Sequence, residues 1–492
     1  MALCVLHVFS VLRFGWVSDD AFIAFRAVGN LVWGHGLVNN PPERVQAFTS
    51  PLWTLLLSLG YLALRNVYWV AVLSSLAASG GLGWLLLRDR ERAARACIAL
   101  ALLTASRTFV TFSTSGLENP LSHFLLAAFA LNELSTANGK EMRAFLLAGF
   151  LATNRLDHLL LVAPALMLHV YRGGIRTLFS RLLLGFVPLV AWLSFALVYY
   201  GFPWPNTAYA KLNLAVERRT LLAQGASYVL DAVLRDGVLV FVIVLALLFT
   251  LRRRTRVPGA APLQSGVVLY VLYVLWTGGD FMGGRFFTGA FALSTLILSE
   301  TLARMPRTVV LASLATAAIA ARWAFDPLPV DVKTDCVVPP SGIVDERACY
   351  VEHTGVAQNL RAKKYETHPY FKQGREFRQG SERVVYDNLV GMAGFAAGPN
   401  VHIVDGYSLS DPLLARMRYD AKPDWRVGHF KRTLPKGYLE SLREGRNLLE
   451  DPCLRALYDD LALVTRGPVW SRARLSAMWR LNVTRRACAE PK

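Results

Sequence analysis

Three observations predict an all-α polytopic membrane domain followed by a smaller soluble α/β domain. Apolar runs follow one another through residues 1–325, clusters of arginine punctuate them, and after Phe325 the chain turns polar, charged and rich in Pro and Gly. Of 492 residues, 54% are hydrophobic, and the mean hydropathy is +0.35, too apolar for a soluble protein of this size. Backbone polar groups cannot stay unpaired in lipid, and the runs far exceed the alternating segments of a barrel strand, so helices are expected. A formal net charge of +18 in a soluble chain points to nucleic acid. Here many arginines sit in short loops between apolar runs, where they set orientation, and no nucleic-acid partner is expected.

The apolar runs lie near 2–16, 67–87, 95–112, 120–134, 143–154, 157–170, 182–200, 237–251, 264–277, 286–302 and 308–324, which makes about eleven transmembrane helices. The first run is short and contains Arg13; with no small-residue cleavage site before Ser18, an anchor helix with a truncated start is expected in place of a signal peptide. Residues 17–66 then form the first outer loop. Within it Pro51 to Leu64 is too short to cross comfortably, and Pro51, Trp53 and Tyr61 suit a helix lying at the interface with its rings at headgroup level.

Basic clusters decide the topology. They are Arg88, Arg90, Arg92 and Arg95; Lys140 and Arg143; Arg172, Arg176 and Arg181; Arg252, Arg253, Arg254 and Arg256; and Arg304 with Arg307. If each is cytoplasmic, the spans between them come in pairs, and 17–66, 113–119, 201–236, 278–285 and everything after Phe325 lie outside. The expected division is therefore a transmembrane domain 1–325 and an extracytoplasmic domain 326–492, in a multi-pass protein of the plasma (inner) membrane.

In the second domain an apolar strand from Val384, a helical stretch Asn388 to Ala397, a strand Val401 to Val404 and the turn Asp405, Gly406 alternate as in a mixed α/β fold. Cys336, Cys349, Cys453 and Cys488 are an even set in a compartment that permits disulfides. Of three possible pairings, sequence proximity favours Cys336 with Cys349 and Cys453 with Cys488. Cys4 and Cys97 read as helix filler. No Cys or His grouping has zinc-finger spacing. GGLG at Gly80 falls inside a span, so no nucleotide site is expected.

Chemistry concentrates just beyond span ends. Asp19 and Asp20 open the first outer loop; two adjacent carboxylates that are both ionised need a cation, an arginine or hydrogen-bond donors nearby. Such a pair is able to hold a divalent cation (Ca, Mg or Mn) while one oxygen serves as base toward a hydroxyl; a solvated helix end is the plain alternative. Arg26, Asn30, His35, Asn39 and Asn40 follow, interleaved with aromatics, a mixture suited to sugar and phosphate at a membrane surface. Glu118 either hydrogen-bonds a sugar hydroxyl or completes a helix N-terminus. Asn206, Tyr209 and Lys211 form either a phosphate-holding patch or an amphipathic loop that snorkels Lys211. Asp280 and Arg285, among glycines, either offer a guanidinium to a leaving phosphate or pair with each other. Arg155 and Asp157 line a cavity or hold a broken helix as a mutual pair, the second reading being favoured. His402, Asp405 and Asp411 either meet an acceptor glycan or shape turns.

These stretches resemble the membrane-embedded GT-C glycosyltransferases that use polyprenyl-phosphate sugars, and among them the actinobacterial terminal β-(1→2)-arabinofuranosyltransferases. The likeness is carried by DDAFIAFR (Asp19 to Arg26), GLVNNPPERVQAFTSPLW (Gly36 to Trp53), SGLENP (Ser115 to Pro120), PNTAYAK (Pro205 to Lys211), GGDFMGGRF (Gly278 to Phe286), VDGYSLSDPLLAR (Val404 to Arg416) and WRVGHFKRTLPKGY (Trp425 to Tyr438). It runs nearly end to end. The resemblance implies a GT-C fold, catalysis by Asp19 and Asp20, a polyprenyl-phosphate sugar donor, and a cell-wall polysaccharide or glycolipid acceptor beside membrane lipid. The expected reaction is transfer of D-arabinofuranose to a glycan hydroxyl. The competing expectations are a transferase using mannose or another hexose, a flippase of lipid-linked sugars, and an anchored glycan-binding protein.

Overall fold

The computed structural model describes residues 1–89, 93–135, 139–252, 257–305, 336–421 and 425–484, with Thr308, Leu311, Ala312, Ala315 and Cys488, and gives 175–178 as backbone only. Arg90, Arg92, Arg253, Arg254, Arg256, Arg307, Phe325, most of the expected span 308–324, and the side chain of Arg176 lie outside this description.

Contacts divide the chain into two compact units. One comprises Met1–Ser18, Ala71–Leu189 and Arg218–Ala362; the other comprises Asp19–Val70, Val190–Glu217 and Lys363–Lys492. The division is thus not the contiguous one expected at residue 325. The outer loop, with its acidic pair, groups with residues 363–492, and residues 336–362 group with the helices.

The first unit is a helical bundle built around Phe287–Leu302, whose residues from Phe287 to Thr301 are all buried. Around it pack Ala93–Ala105, Asn119–Glu133, Gly237–Leu251 and Ala260–Thr277. Close approach is made by glycine: a Cβ at Gly266 would lie 1.9 Å from the carbonyl oxygen of Leu161. Small residues at helix crossings allow this contact in an apolar bundle, where dispersion is the main attraction.

Length and composition single out some of the expected spans. Among the described residues, Val67–Leu87 and Ala260–Thr277 are long and apolar enough to cross a membrane, and two bent pairs, Phe179–Gly185 with Val187–Tyr199 and Arg218–Arg235 with Gly237–Leu251, raise the number to four. Polar residues mark breaks between helices. The run 95–112 is split by Ser106, whose Oγ accepts from Phe109 N and caps the helix Arg107–Phe112. Asp236 splits Arg218–Arg235 from Gly237–Leu251 by accepting from Leu239 N, and its other oxygen takes Ser106 Oγ–H at 2.7 Å and Thr108 N–H at 2.9 Å. One buried carboxylate thereby satisfies donors at two helix starts that lipid cannot satisfy. Leu159–Gly185 bends at Gly174, where φ is 68°. The stretch 201–236, expected as loop, contains the helix Arg218–Arg235; its Arg, Leu, Ala and Gln content favours helix without giving an apolar run.

The second unit contains the helix Asp19–Val32, the 14-residue helix Pro51–Leu64 and a short parallel sheet. Strand Val384–Asp387 leads through helix Met392–Ala397 into strand His402–Asp405, in register from Val384 opposite His402 to Asp387 opposite Asp405. Helix Pro369–Gln379 covers this segment, and Gly374 lets it approach: a Cβ there would sit 2.2 Å from Ala393 O. Phe202, Leu413, Leu414, Leu457 and Leu461 belong to one of its cores. Disulfides join Cys336 to Cys349 in the first unit and Cys453 to Cys488 in the second.

Candidate active site

Asp19 and Asp20 form the first turn of Asp19–Val32. Helix starts favour carboxylates because unpaired N–H groups and the helix dipole face them. Asp19 is partly buried, and its Oδ1 accepts from Met392 N at 2.8 Å. Burial, reinforced by the charge of Asp20 and opposed by the Met392 hydrogen bond, pushes the Asp19 carboxyl up to about 7. Gly391 leaves room for this carboxylate, since a Cβ there would come within 2.4 Å of Asp19 Oδ2. A group with this affinity takes a proton readily near neutral pH, as a general base must. Among the described residues no three His, Cys, Asp or Glu side chains converge, so a divalent cation at this doublet would draw its remaining ligands from water and substrate phosphate.

Arg26 and Asn30 hydrogen-bond within the chain. Arg26 is 2% exposed, and its guanidinium donates to Asn39 O at 2.7 Å, Gly394 O at 2.6 Å, Asn40 Oδ1 at 3.0 Å and Val401 O at 2.7 Å. It ties the outer loop to the helix and strand between Met392 and Asp405, so all three of its nitrogens are engaged. Asn30 Nδ2 donates to Val38 O and Asn39 O, fixing the turn that follows its helix. His35 is exposed and borders a separate cavity.

Asn206 likewise hydrogen-bonds within the chain. Its Nδ2 donates to the carbonyls of Ser408, Leu409 and Asp411, and its Oδ1 accepts from Arg416. Arg416 in turn lies over the rings of Phe202 and Tyr209, 4.0 and 4.3 Å from their centroids, so Tyr209 is a stacking surface for arginine. Lys211 is exposed. Asp405 accepts from Tyr407 N and Ser410 N, and Asp411 from Leu414 N and the Tyr438 hydroxyl; the turn-shaping reading describes both.

In the first unit the remaining candidates form one network. Glu118 Oε1 accepts from Arg155 Nη1 at 3.2 Å and Arg285 Nη2 at 3.1 Å. Arg155 grips Asp157 with two hydrogen bonds of 3.1 and 2.7 Å, and Tyr270 donates to the same carboxylate at 3.0 Å. Arg285 also lies 3.7 Å from Asp280 Oδ2 and 3.4 Å from Asn119 Oδ1. Glu118 is 4% exposed; burial raises its proton affinity, but Arg285 and Arg155 outweigh burial and hold it below the usual range. Arg285 and Asp280 therefore follow the ion-pair reading, with Glu118 as the closer partner. Tyr270 escaped sequence reasoning because a tyrosine inside an apolar helix carries no local signal. Met392 escaped because its amide meets Asp19 across 373 residues.

No family model matches the chain. It is 27% identical over 525 residues to the terminal β-(1→2)-arabinofuranosyltransferase of Mycobacterium tuberculosis, covering 85% of this chain and 81% of that protein. To the protein of the same name from Corynebacterium glutamicum it is 31% identical over 331 residues, 55% of this chain and 46% of that one. Crystal structures of ArnT from Cupriavidus metallidurans share its fold at a TM-score of 0.52. One is bound to undecaprenyl phosphate (15% identity, 82% of this chain, 84% of that one) and the other is in the apo state (14%, 83% and 85%). The chain shares the fold of ArnT, and over most of its length it resembles the terminal arabinofuranosyltransferase of Mycobacterium tuberculosis.

Proposed function

We propose that the chain moves D-arabinofuranose from a polyprenyl phosphate to a hydroxyl of a cell-wall glycan on the outer face of the plasma membrane, with Asp19 as the base. The observation that carries this reading is the carboxyl of Asp19, raised to about 7 and set beside Asp20 at a helix start. The names of the sequence relatives support the sugar, and the undecaprenyl phosphate bound to ArnT supports the class of carrier. The outer loop 17–66 and the region after residue 325 lie outside in this reading, and the apolar helices anchor the chain through several spans.

In the reaction the acceptor oxygen gives its proton to Asp19 and bonds to the anomeric carbon. The bond from that carbon to the phosphate oxygen breaks, and its electron pair leaves with the phosphate. Phosphate is already a good leaving group, so the enzyme chiefly orients the acceptor and accepts one proton, effects worth about 10² to 10⁴ in rate for the base alone. Burial keeps the proton affinity of Asp19 high, and like-charge repulsion from Asp20 adds to it. Lys211, exposed on the same unit, offers a point charge to phosphate.

The test is incubation of membranes with labelled polyprenyl phosphoarabinose and a short arabinan, followed by identification of the new linkage. Asp19→Asn should abolish transfer and retain donor binding. If the Asp19→Asn variant still translocates lipid-linked sugar at the wild-type rate, the chain is a flippase. Transfer of a hexose in preference to arabinose refutes the assigned sugar.

A further inference from the structure

Apart from the acidic doublet, the second unit contains a cavity of about 560 Å³. Trp33, His35, Tyr61 and Arg65 line it from the outer loop; Lys363, Arg375 and Arg378 line it from the later segment. Four permanent cations thus face one carboxylate, Glu366, which pairs with Arg375 and lies 3.6 Å from Lys363 Nζ. That leaves an excess of positive charge in a concave site of a size that takes a small polar headgroup.

The helix that supplies Tyr61 and ends at Arg65 has two different faces. Trp53, Leu57 and Tyr61 are buried, at spacings of four residues, whereas on the opposite face Leu55, Leu59 and Leu62 are 39, 71 and 51% exposed. Such a leucine row is costly in water and favourable among acyl chains. Arg65 closes the helix in the left-handed conformation at φ 52°, donating its N–H to Tyr61 O, and the cavity begins where the leucine row ends. Trp33, 44% exposed at the rim, has the amphipathic ring favoured at headgroup depth.

We infer that this cavity is a docking site for the phosphate headgroup of an anionic glycerophospholipid, whose acyl chains lie along the exposed leucines of Pro51–Leu64. A glycan satisfies the cations but leaves the leucine row uncovered; a lipid satisfies both. The site makes no use of Asp19 or Asp20, so the inference stands or falls independently of the transfer reaction.

The test uses the full chain purified in detergent and exposed to equal amounts of dioleoyl phosphatidylglycerol and dioleoyl phosphatidylcholine, with bound lipid counted by native mass spectrometry. The wild type should retain phosphatidylglycerol about tenfold over phosphatidylcholine. Arg65→Gln and Arg378→Gln should each cut that retention about fivefold, the contribution of one cation near an anionic surface, while the melting temperature without added lipid stays unchanged. Leu59→Ser with Leu62→Ser should also weaken retention, which free phosphate binding alone does not predict. Equal retention of the two lipids, or retention indifferent to Arg65 and Arg378, overturns the inference. So does displacement of the lipid by inorganic phosphate or by a soluble sulfated oligosaccharide at comparable concentration, since the cavity then selects an anion from solution.

Discussion

In the second unit Asp19 stands beside another carboxylate and receives one amide N–H, from Met392. In the first, Glu118 receives two guanidinium groups on a single oxygen. Burial acts on both, and their proton affinities move in opposite directions: Asp19 rises from 3.8 to about 7, whereas Glu118 falls below its ordinary value. Burial disfavours the charged form in both cases, and the partner decides the outcome. A carboxylate poised to accept a proton and one locked as a counter-ion are built from the same chemical group. In the proposed reaction the doublet supplies the base, and the arginine network supports the first unit.

The largest expected effect comes from erasing the poised group. Asp19→Asn should lower the transfer rate by about 10² to 10⁴ with donor affinity unchanged, measured with labelled polyprenyl phosphoarabinose and a short arabinan. Gly391→Ala should act in the same direction, because its Cβ would come within 2.4 Å of Asp19 Oδ2 and displace the carboxylate. If Asp19→Asn transfers at the normal rate, the doublet is a solvated helix end and the contrast with Glu118 loses its functional meaning.

Erasing the counter-ion should instead cost stability. Glu118→Gln leaves two buried arginines short of a carboxylate, a loss of about 3 kcal/mol, read by thermal unfolding in detergent. An unchanged melting temperature breaks the comparison from the other side.

These two regions also show why some features were legible in sequence and others were not. The doublet, the helix Pro51–Leu64 and the strand, helix, strand order after Val384 are local patterns, and the structure has each of those elements. The partners of Arg26, Gly394 and Val401, lie 368 and 375 residues away, so no local pattern shows them. An arginine clamping carbonyls has the same sequence appearance as one awaiting phosphate. The partners of Asn206 are likewise distant in sequence. The run 95–112 is broken by the single polar residue Ser106, since a helix cap is a hydrogen bond and hydropathy does not register it.

A pH titration sharpens the comparison at smaller amplitude. For Asp19 the folded proton affinity is raised, so the native state holds more protons than the unfolded chain between about pH 4 and 7, and stability falls as pH rises through that window. Asp19→Asn should therefore be more stable than wild type above pH 7, by about 1 kcal/mol after allowance for partial exposure, with the gap closing toward pH 4. Glu118 is depressed, so its contribution is complete above its unfolded value of 4.5 and is lost as pH falls through the lower folded value. The deficit of Glu118→Gln should therefore shrink in acid. Transfer itself should rise with pH and level off above about 7, the point at which Asp19 is ionised. Parallel pH trends in the two variants would mean that the carboxylates share one environment.

The smallest effect is expected at the surface. Lys211 is exposed near the end of helix Asn206–Leu212, a helix pinned by the hydrogen bonds of Asn206 to Ser408, Leu409 and Asp411. A point charge on a fixed helix attracts a phosphate without holding it in one orientation, and salt screens it over about 8 to 10 Å. Lys211→Gln should raise the KM for the donor about two- to fivefold, leave kcat unchanged, and lose its effect as ionic strength rises. A change in kcat would mean that the ammonium acts in the transition state, and Lys211 would then belong with Asp19 in the chemistry.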